Sequence, residues 1–434
     1  MFSSPSAAAR IALLVALALP ACGAPRTPQT DATEQPAAAP EKKASAPPPD
    51  PMIEELRSAL AARPNDGVLL STLAEMTAAA GEHEEALGYL ERLAAMGWSF
   101  APLDASFGAL RDDPAYRDVA ARIAKNEPVV RRGKTAFTLE DPMLVPEGIA
   151  HDPKTDTFYL GSIRSRRIIA VGKDGAARDF VPEAKDGLLA VLGLKVDAGR
   201  RRLWAACYAS KQMRGFTPDM KGTAALFQYD LDTGALVGKV VLQRKGEAHL
   251  FNDIAITPAG DVFVTDSEAG GVVVLRGGKE PLEEFLPKGT YYYPNGIVAS
   301  EDGTRLFVAH YRGIAVVDAK SREARPLETP AGIVTAGIDG LAREGGRLFA
   351  VQNGLGRARV TRYDLAKSMD RIEREEVLES GNPLFDGLPT TGVVARGAFH
   401  VIANSNLRGF DPSGNPAPGA KPERTQVLSI PLGP

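Results

Sequence analysis

The sequence predicts an all-β, six-bladed β-propeller over residues 134–434, preceded by a small all-α helical domain over residues 52–126. After Arg131 the chain consists of short runs rich in Val, Ile, Phe, Leu and Tyr, divided by turns that contain Gly, Asn or Pro. A unit of this kind recurs about six times at spacings of roughly 43 to 60 residues, which is the length of a four-stranded blade. Residues 52–126 instead carry apolar side chains at helical spacing, with breaks at Pro64-Asn65, Gly81 and Gly97.

Composition limits the function classes. With 434 residues, of which 44% are hydrophobic, the chain is long enough for more than one domain. The formal net charge is -3 and the charges are mixed along the chain, so we expect no nucleic-acid partner. The two cysteines are Cys22 and Cys207. If Cys22 is modified as described next, Cys207 has no disulfide partner, and we expect it to be a buried strand residue.

The first 22 residues have the pattern of an export signal. Arg10 precedes an apolar run, Ile11 to Leu19, that is too short to span a bilayer. The segment Leu19-Pro-Ala-Cys22 resembles the lipobox of bacterial lipoprotein signals, in which the cysteine is acylated and becomes the mature N-terminus. The alternative is an ordinary secretory signal with a chance cysteine. Gly23 follows the cysteine, and the resemblance implies a lipid-anchored protein of the Gram-negative cell envelope, at the outer membrane.

Residues 23–51 are rich in Pro and Ala and predict a disordered, semi-rigid tether, so the lipid anchor is the only expected membrane contact. The helical region beyond it contains one segment, residues 67–100, that resembles a single tetratricopeptide repeat. Because one such repeat cannot bury its own apolar face, it is expected to dock on its flanking helices, on the propeller, or on another protein. The two alternatives for its role are a groove for a protein partner and a helical cap or spacer. The positions that carry the resemblance are Leu70, Leu73, Ala74, Gly81, Ala86, Leu90 and Leu93.

One column of residues carries the candidate chemistry. The innermost strands of a propeller run the same way beside the central channel, so the residues that open them face one another across one mouth. Four of these residues are carboxylates or carboxamides, which suit a hard cation such as calcium, and no histidine or thiolate suggests zinc. The alternative is that Asn-Gly and Asp-Gly are ordinary turn dipeptides. The column reads Glu147, Leu192, Asn252, Asn295, Asp339 and Thr391.

Four segments of this column resemble a known family, the regucalcin-like senescence marker protein, gluconolactonase and luciferin-regenerating enzyme family. They are Pro146-Glu-Gly148, Phe251-Asn-Asp253, Pro294-Asn-Gly296 and Ile338-Asp-Gly340. The resemblance covers about residues 142–410. Ala350-Val-Gln-Asn-Gly354 and Pro389-Thr-Thr-Gly392 are similar to a bacterial branch of that family.

The resemblance implies calcium, or another divalent cation, bound by Glu147, Asn252, Asn295 and Asp339. Glu147 and Asp339 are the expected catalytic residues, and Asn252 and Leu250 the expected substrate contacts. Sugar-lactone hydrolases of the family have an Arg where this chain has Leu250, which predicts a substrate less polar than gluconolactone.

The expected function is a divalent-metal-dependent hydrolase of a small lactone or ester, with Asp339 as both ligand and proton acceptor. His249 and His310 are the histidines nearest to the column, and both are expected to be structural. The alternative is a non-enzymatic, metal-stabilised propeller whose helical domain binds a partner in the cell envelope.

Overall fold

The computed structural model describes residues 50–244 and 246–433. The predicted signal, Cys22 and the linker as far as residue 49 lie outside this part of the chain. Within the described residues no helix is long and apolar enough to span a membrane. The helices of the N-terminal segment are α1 (Pro51–Ala62), α2 (Gly67–Ala79), α3 (His83–Ala95) and α4 (Pro114–Ala124), with a 3-10 segment at Asp104–Asp112.

Three of these helices begin at an aspartate whose side chain accepts hydrogen bonds from the first-turn amides. Asp50 caps α1, Asp66 caps α2 and Asp113 caps α4. Proline follows Asp50 and Asp113, where its missing N–H costs nothing. The sequence therefore sets these helix starts locally.

The helical segment has its own apolar core and is also docked on the propeller. Leu70, Leu73 and Ala74 of α2 are fully buried within that core. A second small cluster joins Phe100 to Ala336 and Leu355 of the propeller, with Trp98 and Val68 packed against it. The guanidinium carbon of Arg359 lies 3.8 Å from the ring centre of Phe100, and the Arg357 amide donates to Ala101 O at 2.7 Å. The segment thus packs on the ring, and its tetratricopeptide-like character stays a prediction.

The rest of the described chain forms six sheets of four or five strands, which confirms the six-bladed β-propeller. Each blade is an antiparallel meander from an inner to an outer strand. The first half of the strands is β1 (Val130–Arg131), β2 (Lys134–Thr138), β3 (Pro146–Asp152), β4 (Thr157–Ser162), β5 (Ile168–Val171), β6 (Ala177–Val181), β7 (Ala190–Asp197), β8 (Arg202–Tyr208), β9 (Ala224–Asp230), β10 (Leu236–Leu242), β11 (Phe251–Ile256), β12 (Val262–Asp266) and β13 (Gly271–Leu275). The second half is β14 (Leu282–Leu286), β15 (Ile297–Ala299), β16 (Arg305–His310), β17 (Gly313–Asp318), β18 (Ala324–Pro326), β19 (Ile338–Glu344), β20 (Arg347–Gln352), β21 (Arg359–Leu365), β22 (Ile372–Ser380), β23 (Gly392–Ala395), β24 (Ala398–Ile402) and β25 (Gln426–Pro431).

The ring is closed by strands from both ends of the propeller region. Blades I to IV are β3–β6, β7–β10, β11–β14 and β15–β18. Blade V contains β19–β22, and β1 pairs with its outer strand. Blade VI contains β23–β25 and takes β2 as its outermost strand, with Phe137 opposite Val427. Adjacent inner strands are in contact all round, from β3 through β23 and back to β3.

The middle strands are apolar because each blade is covered on both faces by its neighbours. Phe349 of blade V stacks on Phe399 of blade VI, with ring centres 5.7 Å apart. All six residues of β4 are buried. Cys207, in β8, is fully buried and free.

Candidate metal and substrate site at the mouth of the channel

The column residues of four inner strands lie in β-bulges. A bulge places two residues of one strand opposite one of its partner and so redirects a side chain. In blade I the register jumps between Pro146 and Ile149, which leaves Glu147 and Gly148 unpaired. The equivalent jumps in β7, β11 and β19 span Leu192, Asn252 and Asp339. At one mouth of the channel the bulges thus leave the column residues outside the regular hydrogen-bonded pairing of the inner strands.

The glycines that follow the column residues are required by close packing and are not turn residues. A Cβ on Gly148 would lie 1.8 Å from the carbonyl oxygen of Leu192, and one on Gly193 would lie 2.3 Å from that of Asn252. Adjacent inner strands therefore approach too closely for any side chain at these points. Blade III differs because Asp253 stands at this position. Its carboxylate accepts from the amide of Ile297 in blade IV at 2.9 Å.

Glu147 is a buried carboxyl group with one unused oxygen. Its side chain is 5% exposed, and Oε2 has no hydrogen-bond partner among the described residues. Burial, followed by the charges of Asp339 and Asp253, raises the pKa of Glu147 well above its ordinary value. Its backbone carbonyl accepts from the hydroxyls of Thr390, at 3.1 Å, and Thr391. Thr391, the sixth column residue, therefore ties blade VI to blade I.

Asp339 is held between two amide side chains. Nδ2 of Asn295 donates to Asp339 Oδ1 at 2.8 Å, and Nδ2 of Asn353 donates to Oδ2 at 2.6 Å. The second amide is itself fixed, because it also donates to Pro389 O at 2.8 Å. Burial raises the pKa of Asp339 to about 6, against the lowering effect of the two amides. Oδ1 of Asn295 is buried and has no partner among the described residues.

Asn252 lies in β11 and Leu250 immediately precedes that strand, but the two side chains have different surroundings. Nδ2 of Asn252 donates to the Ser267 hydroxyl at 3.0 Å, and that hydroxyl donates to Pro294 O at 2.6 Å. This chain links Asn252 to the segment that carries Asn295. Leu250 is 5% exposed and packs in the apolar core of blades I and II. Its predicted contact with substrate stays a prediction.

The two histidines near the column have structural environments. Nδ1 of His249 lies 2.6 Å from Asp266 Oδ2, and Nε2 lies 3.1 Å from Glu247 Oε2. The ring is therefore clamped between two carboxylates. His310 stacks on Tyr291 with ring centres 4.5 Å apart. It lines a groove of about 750 Å³ between the start of α2 and blade IV.

The donor set fits a hard divalent cation. Among the described residues no three His, Cys, Asp or Glu side chains form a metal-binding group. The column instead offers two carboxylates, Glu147 and Asp339, and amide oxygens of Asn252 and Asn295. The unpaired Glu147 Oε2 and Asn295 Oδ1 are the kind of oxygen acceptors that calcium prefers. A bound cation would also offset the buried negative charge that raises the pKa of Glu147.

The structure brings three further polar residues to this site. Asp253 and Asn353 lie inside segments that resemble the family, but their roles depend on contacts between blades. Arg408, whose charge acts on Asp339, comes from the long connection between β24 and β25. Of these three residues only Asn353 has a sequence signal that points to the site, because it precedes a glycine just after a strand, in Asn353-Gly354.

No protein-family model matches the sequence, and no curated protein matches it significantly. Similar solved structures include a gluconolactonase from Xanthomonas campestris, 16% identical with a TM-score of 0.46, matched over 70% of this chain and 98% of that one. An aldose sugar dehydrogenase from Streptomyces coelicolor is 16% identical, with a TM-score of 0.46 and coverage of 69% and 98%. Virginiamycin B lyase from Staphylococcus aureus is 12% identical, with a TM-score of 0.45 and coverage of 68% and 98%. These names belong to different reactions, and similarity this distant does not identify one.

Proposed function

We propose that the protein is a hydrolase of a small lactone or ester that depends on calcium or another divalent cation. The observation that supports the proposal is the pair of carboxyl groups, the buried Glu147 and the partly buried Asp339, together with the unpaired oxygen of Asn295. Such an arrangement is costly without a cation, because two like charges share a dry site.

Each residue of the column then has a role. Glu147, Asn295 and Asp339 would hold the cation with Asn252, which Ser267 fixes in orientation. When bound, the cation would polarise the acyl carbonyl and acidify a water molecule. Asp339, ionised beside the cation, would accept a proton from the attacking water. The amides of Asn295 and Asn353 hold the carboxylate in place while it does so.

The test is a panel of aliphatic lactones and aryl esters, each with and without a carboxylate substituent, together with gluconolactone, assayed with calcium and with excess chelator. We expect calcium-dependent turnover of lactones or esters of the panel in preference to gluconolactone. Glu147→Gln and Asp339→Asn should lower kcat by orders of magnitude while the fold persists by circular dichroism. Absence of cation-dependent turnover across the panel would refute the hydrolase.

One observation favours the alternative of a non-enzymatic, metal-stabilised propeller. α2 packs on the same side of the ring as the column, where Thr72 hydrogen-bonds Tyr311. A structural cation under a helical cap would raise the melting temperature with the logarithm of free calcium and give no turnover. Measuring melting temperature and turnover on one preparation separates the two functions.

We also propose that the protein is lipid-anchored in the cell envelope. The support is the segment Leu19-Pro-Ala-Cys22, which lies outside the described residues.

A further inference from the structure

The connection between β24 and β25 crosses the mouth of the ring. Its first residues are fixed at blade VI, because the Ser405 amide donates to Leu388 O at 2.9 Å. Nδ2 of Asn406 donates to Glu423 O at 2.7 Å, which closes the connection on itself. Further along, Phe410 is buried in the apolar core of blades I and II, and Leu407 packs against the same core. The turn Leu407–Gly409 therefore lies beside the core of blades I and II, close after the residues that are fixed at blade VI.

Arg408 occupies the centre of this turn. Its side chain is partly buried, yet no hydrogen bond or ion pair joins its guanidinium to any described residue. A guanidinium has five N–H donors, and enclosing them without an acceptor is unfavourable. The carboxylates whose charges act on Arg408 are Glu75, Asp339 and Asp386, in that order. None of them forms an ion pair with it, so Arg408 has no fixed anionic partner within the described chain.

The helical segment faces the same space. Val68, Thr72 and Glu75 lie on one stripe of α2, and the first two contact the propeller. Glu75 makes no hydrogen bond to any described residue, and burial raises its pKa to about 7. Arg408 lowers that pKa. Arg408 is thus near enough to feel the charges of both Asp339 in the column and Glu75 in α2.

We propose that Arg408 binds a carboxylate group of the substrate, so that the substrate is a lactone or ester carrying an acid group. The inference rests on the proposed hydrolase and specifies its substrate class. The planar guanidinium fork matches a carboxylate with two parallel hydrogen bonds.

The bound carboxylate would anchor the substrate and would not react. In the hydrolysis, the water oxygen forms the new bond to the acyl carbon, and the acyl C–O bond breaks. The leaving oxygen takes a proton and becomes an alcohol. The products together therefore carry two acid groups, of which one is new.

Binding can be tested without turnover. The probes are cyclopentanecarboxylate and its uncharged isostere cyclopentanecarboxamide, titrated calorimetrically into the full-length protein with calcium and again with excess chelator. We expect the carboxylate to bind more tightly than the amide in both conditions. Arg408→Met should weaken carboxylate binding about 10- to 100-fold and leave amide binding unchanged, as expected for loss of a charged hydrogen-bonded pair. Arg424→Met is the matched control, since Arg424 lies on the same connection but pairs with the exposed Glu140.

The variants also separate failure of this inference from failure of the hydrolase. If wild type does not discriminate the two probes, or if Arg408→Met and Arg424→Met bind the carboxylate equally, the inference is overturned. If Arg408→Met does not fold, Arg408→Lys, which keeps the charge but loses the fork, should still weaken binding several-fold. Carboxylate binding that depends on Arg408, in a protein that hydrolyses nothing, would support the anion site and refute the hydrolase alone.

Discussion

The stability of the cation-free protein should fall as pH rises, and Asp339 is the residue that tests this most directly. Its pKa is about 6 in the folded protein and 3.8 ordinarily. Between these values the folded state holds a proton that the unfolded state has released. Stability is therefore fully present below the lower value and is lost as pH rises through the higher one.

The size of the loss in unfolding free energy follows from the difference between the folded and the ordinary pKa of Asp339. The full displacement corresponds to about 3 kcal/mol, of which about 2 kcal/mol falls between pH 4.5 and pH 8. Asp339→Asn cannot titrate. It also exchanges one acceptor oxygen for an amide nitrogen, at a cost that does not depend on pH. In addition it removes a charge that raises the pKa of Glu147, which enlarges the shift in the same direction. The difference in unfolding free energy between wild type and Asp339→Asn should therefore shift against wild type by about 2 kcal/mol over this range.

The assay is urea unfolding at a series of pH values in excess chelator, repeated with saturating calcium. Calcium should flatten the pH dependence of wild type, because a bound cation favours the ionised carboxylate. Asp302→Asn is the control, since hydrogen bonds from Ser300 and Thr304 hold the pKa of Asp302 at about 2. Its contribution is present above the ordinary value and lost only as pH falls, so this variant should stay parallel to wild type from pH 5 to 8. A constant difference between wild type and Asp339→Asn in chelator would refute the raised pKa of Asp339.

Three other outcomes are expected. Gly148→Ala should destabilise the protein by about 3 kcal/mol or more, since a methyl group pressed against a backbone oxygen cannot be accommodated. The control Gly88→Ala, in open space within α3, should stabilise the protein by about 0.5–1 kcal/mol. Equal melting temperatures of the two variants would contradict the close approach of the inner strands. Asn353→Ala should cost about 1–3 kcal/mol and weaken calcium binding at neutral pH, because the pKa of Asp339 rises further; unchanged calorimetric affinity would argue against that contact. Mass spectrometry of membrane-extracted protein should find a diacylated Cys22 at the N-terminus, and an unmodified terminus elsewhere would exclude the anchor.

Much of the ring was predictable because its signals are local. Apolar runs such as Leu306-Phe-Val-Ala309, buried in β16, alternate with turns at nearly regular spacing. The short outer strands were harder to predict. β18 has three residues, all exposed, and its pairing with β17 rather than its own composition makes it a strand.

The residues of the candidate site likewise fall into those that the sequence predicts and those that it does not. The column could be predicted because equivalent positions of successive blades must face one mouth. Asn353 could not, since its contact with Asp339 joins the ends of two strands. Arg408 could not either, because the path of a long connection across the ring depends on where Phe410 finds an apolar core. The docking of the helical segment on the propeller was one of three open alternatives, and it depends on contacts between distant residues, such as that of Phe100 with Leu355.

The pairing of β2 with β25 has a consequence for biogenesis. Residues 134–138 are synthesised before every blade, yet they pair with residues 426–431, near the end of the chain. Such distant pairing makes closure a late event in folding. A chain that emerges N-terminus first cannot complete its ring until β25 has left the ribosome. The ring is therefore expected to stay open while the other blades are synthesised, and a premature stop before β25 would leave a ring that cannot close.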